Sequence, residues 1–246
     1  MPIVPSTQVY SDLATLQAAT AERIATFLAE RAAHRPKLFV VISGGSAPPG
    51  VFAHLIASPL RERMPWAKLS LIWADERLVP FDHPESNYRQ ARISLLDHVP
   101  IPSDQVYPVA TYYEPDQAAT VYQQQVAALL AAHDDQIDLA LLGMGPDGHT
   151  ASLFPGFPQL NAPPEALVLP VRNAPKPPPT RITLTAHTLN RAAQVYLLVA
   201  GADKAPAVQA ALSGSHDPQA HPTLLIAPRT GQVTWLLDAA AAAQLP

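Results

Sequence analysis

The stretch IDLALLGMGPDGHTASLFPG, Ile137 to Gly156, decides how the chain reads. It opens on a nearly continuous apolar run and then breaks into three closely spaced glycines, Gly143, Gly145 and Gly148, before ending at a proline. A short apolar run stopped by glycine and proline predicts a strand buried on both faces. The residues after the run, Asp147, His149, Thr150 and Ser152, place a carboxylate, an imidazole and two hydroxyls in the most flexible part of the segment.

Working outward, the same pattern recurs. KLFVVI (37–42) runs into SGGS, LSLIWA (69–74) into DER, and QVYLLVA (194–200) into GADK, while VTWLLD (233–238) reads as a final strand before an alanine-rich terminal helix. Between them lie helix-like stretches: Asp12 to Arg31, capped by Ser11, then segments around Ser86 to Leu96, Asp116 to Ala132 and Lys204 to Leu212. Pro48 and Pro49 suit the first turn of a further helix. Apolar strands alternating with helices predict an α/β fold, a mostly parallel open sheet with helices on both faces. The polar clusters fall at the carboxyl ends of their strands, where such sheets bind ligands. Six of the ten glycines, Gly44, Gly45, Gly143, Gly145, Gly148 and Gly201, fall there too. The proline-rich stretch from Phe157 to Thr180 has no clear period and reads as a lid-like loop or a poorly ordered crossing.

Composition narrows the function. The chain has 246 residues, 48% hydrophobic and 15% charged, with a formal net charge of -4. That length suits one α/β domain over 1–246. Without a basic surplus there is nothing to neutralise a nucleic-acid backbone or an anionic membrane, so a bound phosphate must be met locally. No cysteine is present, which excludes thiolate metal sites and fits a reducing compartment. The first residues show no leader pattern and no run is long enough to cross a bilayer, so a cytoplasmic protein is expected. The 28 prolines and the many alanines carry no functional signal.

Four clusters hold candidate chemistry. Ser43, Gly44, Gly45 and Ser46 offer hydroxyls and N–H groups at a helix start, an arrangement that attracts phosphate, although an ordinary turn has the same composition. The literal G-x-G-x-x-G of Gly143 to Gly148 is a poor dinucleotide site: strands precede it, Asp147 would repel a pyrophosphate, and Glu165 sits in the proline-rich stretch. His149 is suited to deprotonating water, with Asp147 or Asp75 to hold its tautomer. Asp75, Glu76 and Arg77, followed by Ser86 and Asn87, form a second polar corner, in which Ser86 can equally serve as a helix cap. Arg181 and Lys204 are the cations left to partner a phosphate, and Arg77 or an N–H near Gly145 is the candidate oxyanion donor. No spacing resembles a metal cage, and neither metal nor cofactor is expected.

The blocks SGGS, WADERLVPFDHPESN, DLALLGMGPDGHTASLFPG, KPPPTRITLT and GADKA resemble, in order and kind, those of the 6-phosphogluconolactonases. GMGPDGHTASLFPG carries most of the specificity. The resemblance implies a small-molecule substrate, 6-phosphoglucono-1,5-lactone, and a fold shared with glucosamine-6-phosphate deaminases and related to ribose-5-phosphate isomerase. Ala47 departs from the threonine common after SGGS and removes one hydroxyl donor. The deaminases are the nearest rival, but Phe154 stands where they carry a ring-opening glutamate, and Arg77 replaces a common tyrosine. A sugar-phosphate sensor is a reading of another class, but such proteins normally carry a DNA-binding helical segment, and none is evident.

Overall fold

A computed structural model describes residues 6–214 and 216–246. Ten strands form, β1 Ser6–Tyr10, β2 Leu38–Ile42, β3 Leu69–Trp73, β4 Asp75–Arg77, β5 Val106–Tyr107, β6 Ile137–Gly143, β7 Val168–Val171, β8 Arg181–Leu184, β9 Ala192–Val199 and β10 Gln232–Asp238. The α-helices are α1 Leu13–His34, α2 Pro48–Leu55, α3 Leu60–Arg63, α4 Asn87–Ser94, α5 Pro115–Ala132, α6 Ala186–Leu189 and α7 Ala205–Ser213.

Seven strands make the main sheet in the order β1-β10-β9-β6-β2-β3-β5, and every pairing in it is parallel. All five residues of β2 are buried. Phe39 and Val41 face one apolar core, while Leu38, Val40 and Ile42 face the other. The two cores explain why the strand sequences are continuously apolar rather than alternating.

Chain order reverses at β2. From β2 the chain steps outward to β3 and β5, then returns to lay β6 against the other side of β2, with Val40 opposite Leu139 and Val41 opposite Ala140. The loops leaving β2 and β6 therefore diverge above a crevice at the sheet's carboxyl edge, the position where open α/β sheets take ligands.

Three local readings are corrected. The cap of α1 is Asp12, not Ser11: its Oδ1 accepts the Thr15 N–H at 2.8 Å. The alanine-rich terminus forms turns, not a helix. Asp238 draws the Ala241 N–H to its carboxylate at 2.7 Å, and the few residues left before Pro246 are too short to hold a helix on their own. The proline-rich stretch is not a poorly ordered crossing throughout. It contributes β7, which joins β8 and β4 in a small antiparallel sheet, order β4-β8-β7. Pro170 is tolerated because β7 is the edge strand. Ile182 and Leu184 of β8 and Val168 of β7 press this sheet onto one of the two cores.

Candidate active site

The loop after β6 is shaped around an imidazole. The Gly145 N–H donates to the His149 carbonyl at 2.8 Å, and the Gly148 N–H donates to the Gly145 carbonyl at 3.0 Å. This tight turn brings the Gly145 Cα against the His149 ring, where an added Cβ would lie 2.1 Å from two ring atoms. Glycine is required there for close approach. Nδ1 of His149 meets Oδ1 of Asp147 at 2.5 Å. Burial acts to raise the Asp147 carboxyl, but the His149 hydrogen bond and charge, aided by Lys176, outweigh it and hold the group down at about 2. An ionised Asp147 is an acceptor only, so in the neutral imidazole Nδ1 carries the proton and Nε2 the lone pair.

Asp75 has other partners. Its Oδ2 accepts the Ser152 hydroxyl at 2.6 Å and lies 3.7 Å from Nη1 of Arg181, while Asn87 Nδ2 reaches its carbonyl oxygen at 2.8 Å and its Oδ1 at 3.3 Å. Of the two carboxylates offered to His149 by the sequence, the hydrogen bond is made by Asp147.

Glu76 anchors the corner from beneath. Its oxygens accept the N–H groups of Arg77, Asn87 and Tyr88 and the Ser86 hydroxyl. Burial pushes this carboxyl up to about 7, against the lowering pull of the three N–H donors. Ser86 itself caps α4, accepting the Arg89 N–H at 3.1 Å. The anchored Asn87 side chain crowds Gly44, where an added Cβ would come within 1.8 Å of Asn87 Oδ1.

One cavity of about 280 Å3 gathers these groups. Ser43, Gly44, Gly45, Ser46, Asp75, Arg77, Asn87, Gly145, His149, Arg181 and Lys204 all line it. Asp147 stands just behind, through its bond to His149. The Ser43 hydroxyl is buried and has no hydrogen-bond partner among the described residues. Behind it α2 starts at Pro48 with no side-chain cap, because position 47 is alanine and supplies no hydroxyl. The Gly45 N–H is partly engaged, donating to Gln90 Oε1 at 3.1 Å.

The cations differ in freedom. Arg77 Nη1 donates to the Glu85 carbonyl at 2.8 Å. Lys204 Nζ donates to Asp203 at 2.8 Å, and its loop is fixed by the Gly201 N–H donating to the Asp238 carboxylate at 3.1 Å. Arg181 is buried, with Nε and Nη2 donating to the carbonyls of Pro178 and Lys176 and its Cζ 5.4 Å from the Phe154 ring centre. The same ring packs 4.6 Å from the His149 ring. One expectation changes here: the Gly145 N–H is taken by the His149 carbonyl, so Gly145 shapes the turn rather than offering a donor.

Sequence reasoning gave no site role to Ser152, Lys176, Asp238 or Thr223. Thr223 braces the loop after β6 by donating its hydroxyl to the Gly148 carbonyl at 2.6 Å. No local spacing announces these contacts, since Ser152 meets Asp75 across 77 positions and Thr223 meets Gly148 across 75. Among the described residues no three His, Asp or Glu side chains converge so as to hold a metal ion. No helix among them is long and apolar enough to cross a membrane.

A parallel sheet with a polar crevice at its order reversal, holding an imidazole–carboxylate pair and an uncapped helix start, defines a class of α/β proteins suited to a small anionic ligand. The chain belongs to the glucosamine-6-phosphate isomerase/6-phosphogluconolactonase family, whose model matches residues 11–235. Within it, a 6-phosphogluconolactonase of Streptomyces coelicolor is 40% identical over 260 residues, covering 100% of this chain and 97% of the relative. The solved structure of 6-phosphogluconolactonase from Trypanosoma brucei superposes with a TM-score of 0.85 at 30% identity, over 99% of this chain and 100% of that one. A monomeric glucosamine-6-phosphate deaminase shares the fold, with a TM-score of 0.81 at 20% identity over 97% of this chain and 99% of that one.

Proposed function

We propose that this protein hydrolyses 6-phospho-D-glucono-1,5-lactone to 6-phosphogluconate, the lactone step of the oxidative pentose phosphate pathway, as a cytoplasmic enzyme acting without nucleic-acid or membrane partners. The observation that carries the reading is that His149, held from behind by Asp147, and the SGGS turn line one cavity. The relatives named above support it.

The phosphate is met at the Ser43–Ser46 turn by the unpartnered Ser43 hydroxyl, the start of α2 and the Lys204 ammonium, with Arg181 adding charge from the wall. Anchoring there holds C1 of the lactone near His149, so binding far from the reaction serves to orient it. Nε2 takes a proton as water's oxygen bonds to C1. The C1–O5 bond then breaks, and the ring oxygen leaves with the proton that the imidazolium returns. Asp147 keeps the base in the correct tautomer, and Asp75, tied to Ser152 and Asn87, holds the opposite wall. Arg77 faces the cavity as an oxyanion partner. Phe154, packed under both His149 and Arg181, puts an apolar ring where a deaminase needs an acid.

Fresh lactone assayed with subtraction of its spontaneous opening tests the proposal. Clear acceleration by the protein is the expected result. No acceleration, or ammonia release from glucosamine 6-phosphate in its place, overturns it. Lys204→Ala and Arg181→Ala are expected to raise KM more than they lower kcat. An unchanged inhibition constant for 6-phosphogluconate in both variants removes these cations from the phosphate site.

A further inference from the structure

Four cations line the cavity, and three of them already spend donors on the protein: Arg77 on Glu85, Arg181 on two loop carbonyls and Lys204 on Asp203. Lys176 differs. Its Nζ stands 3.8 Å from Asp147 Oδ1, beyond hydrogen-bond distance, and makes no hydrogen bond among the described residues. That oxygen is the one that holds Nδ1 of His149, so Lys176 stands at the reacting end of the cavity. Its side chain remains 42% exposed, free to turn from Asp147 toward a ligand. Its backbone, by contrast, is fixed, because the buried Arg181 guanidinium donates to the Lys176 carbonyl at 3.0 Å. The loop after β6 has no spare N–H to play the same part at Gly145 or Gly148, since both are used inside the turn.

We infer that Lys176 is a substrate-contacting residue of the reacting end, its ammonium holding the negative oxygen that develops at C1 and afterwards the carboxylate of the product. The inference rests on the lactonase reading and extends it. A cation with three unengaged N–H donors on a fixed backbone is suited to that task, because donors aimed where charge develops act most strongly in a site partly closed to water. The neutral lactone carbonyl gains little from it, and the tetrahedral anion gains much. Lys176 therefore acts on turnover more than on substrate capture.

Lys176→Met, which keeps the length of the stem and removes the charge, tests this through two independent measurements. In steady state kcat is expected to fall by about tenfold or more, with KM changing by less than about threefold, and Lys176→Arg recovers part of the loss. In calorimetric titration the variant binds 6-phosphogluconate about tenfold more weakly, while glucose 6-phosphate, which has the phosphate and no carboxylate, keeps its Kd to within about twofold. Equal weakening of both ligands places Lys176 at the phosphate instead and overturns the assignment. Unchanged kcat with unchanged binding of both ligands overturns it as well. A wild-type protein without lactonase turnover sinks the activity reading alone, because the two titrations still report on whether Lys176 meets a carboxylate.

Discussion

The turn after β3 and the loop after β6 both present acids at the same edge of the sheet, and their surroundings drive those acids in opposite directions. Glu76 is buried beneath α4, and loss of water pushes it up to about 7 although N–H donors favour its charged form. Asp147 is half-buried, and His149 and Lys176 hold it down at about 2 against the effect of burial. Where only N–H and hydroxyl donors reach the acid's oxygens, desolvation decides. Where it shares its oxygen with an imidazole and an ammonium, the partners decide. The difference separates a structural corner, which fixes Asn87 and through it the approach to Gly44, from the loop on which the proposed base sits.

The strongest way to break that division is His149→Ala. Removing the proposed general base is expected to lower kcat by about 10²- to 10⁴-fold while KM stays within a few-fold and stability falls by no more than about 2 kcal/mol, the contribution carried by its bond to Asp147. Near-normal turnover in steady-state assays would take histidine out of the reaction. A large loss of stability by denaturant titration would show that the loop after β6 is structural too.

Glu76→Gln probes the other side with a smaller effect. A carboxyl whose folded value rises from 4.5 to about 7 binds its proton more tightly in the native state. Its stabilising contribution is complete below the unfolded value and disappears as pH climbs through about 7, a change of about 3 kcal/mol across that window. The amide cannot titrate, so stability measured by urea unfolding between pH 4.5 and 7.5 should lose this downward slope. A slope equal to that of the wild type would show that Glu76 is ionised throughout, and that its donors outweigh its burial.

How far such contrasts could be read in advance depended on whether the cause was local. β2, β3, β6 and β9 were legible because burial on both faces writes an uninterrupted apolar run, and a glycine-rich break marks its end. β4 was not: three residues, two of them acidic, read as a polar turn when they are a strand paired to β8. β1 was hidden for the opposite reason, since an edge strand exposed on most of its length carries no apolar pattern. The site shows the same split. His149, Asp147 and the SGGS turn announced themselves by residue type at strand ends. The choice between Asp75 and Asp147 did not, because both lie at corresponding strand ends and only the fold shows that Ser152 and Arg181 occupy one while the imidazole occupies the other. Lys176 was masked by its prolines, which suggested an irregular crossing where the fold has an edge strand and an anchored loop.

The smallest effect tests the same contrast from the acid side. Asp147 titrates near 3.8 when unfolded and at about 2 in the folded protein, so its contribution is present above pH 4 and is lost as pH falls through about 2. A full shift of that size corresponds to somewhat more than 2 kcal/mol, but the side chain is 34% exposed and solvent screening reduces the figure, leaving about 1–2 kcal/mol. Asp147→Asn should therefore flatten the stability profile between pH 4 and pH 2, where the wild type falls, opposite in sign to the Glu76 effect and in a window that does not overlap it. In the same variant kcat should drop by about 10- to 100-fold, less than in His149→Ala, because the imidazole remains and only its preferred tautomer is lost. If Asp147→Asn kept the acid slope of the wild type while losing turnover, the carboxylate would orient the base without an ionic contribution to folding, and the opposition between the two corners would reduce to the burial of Glu76 alone.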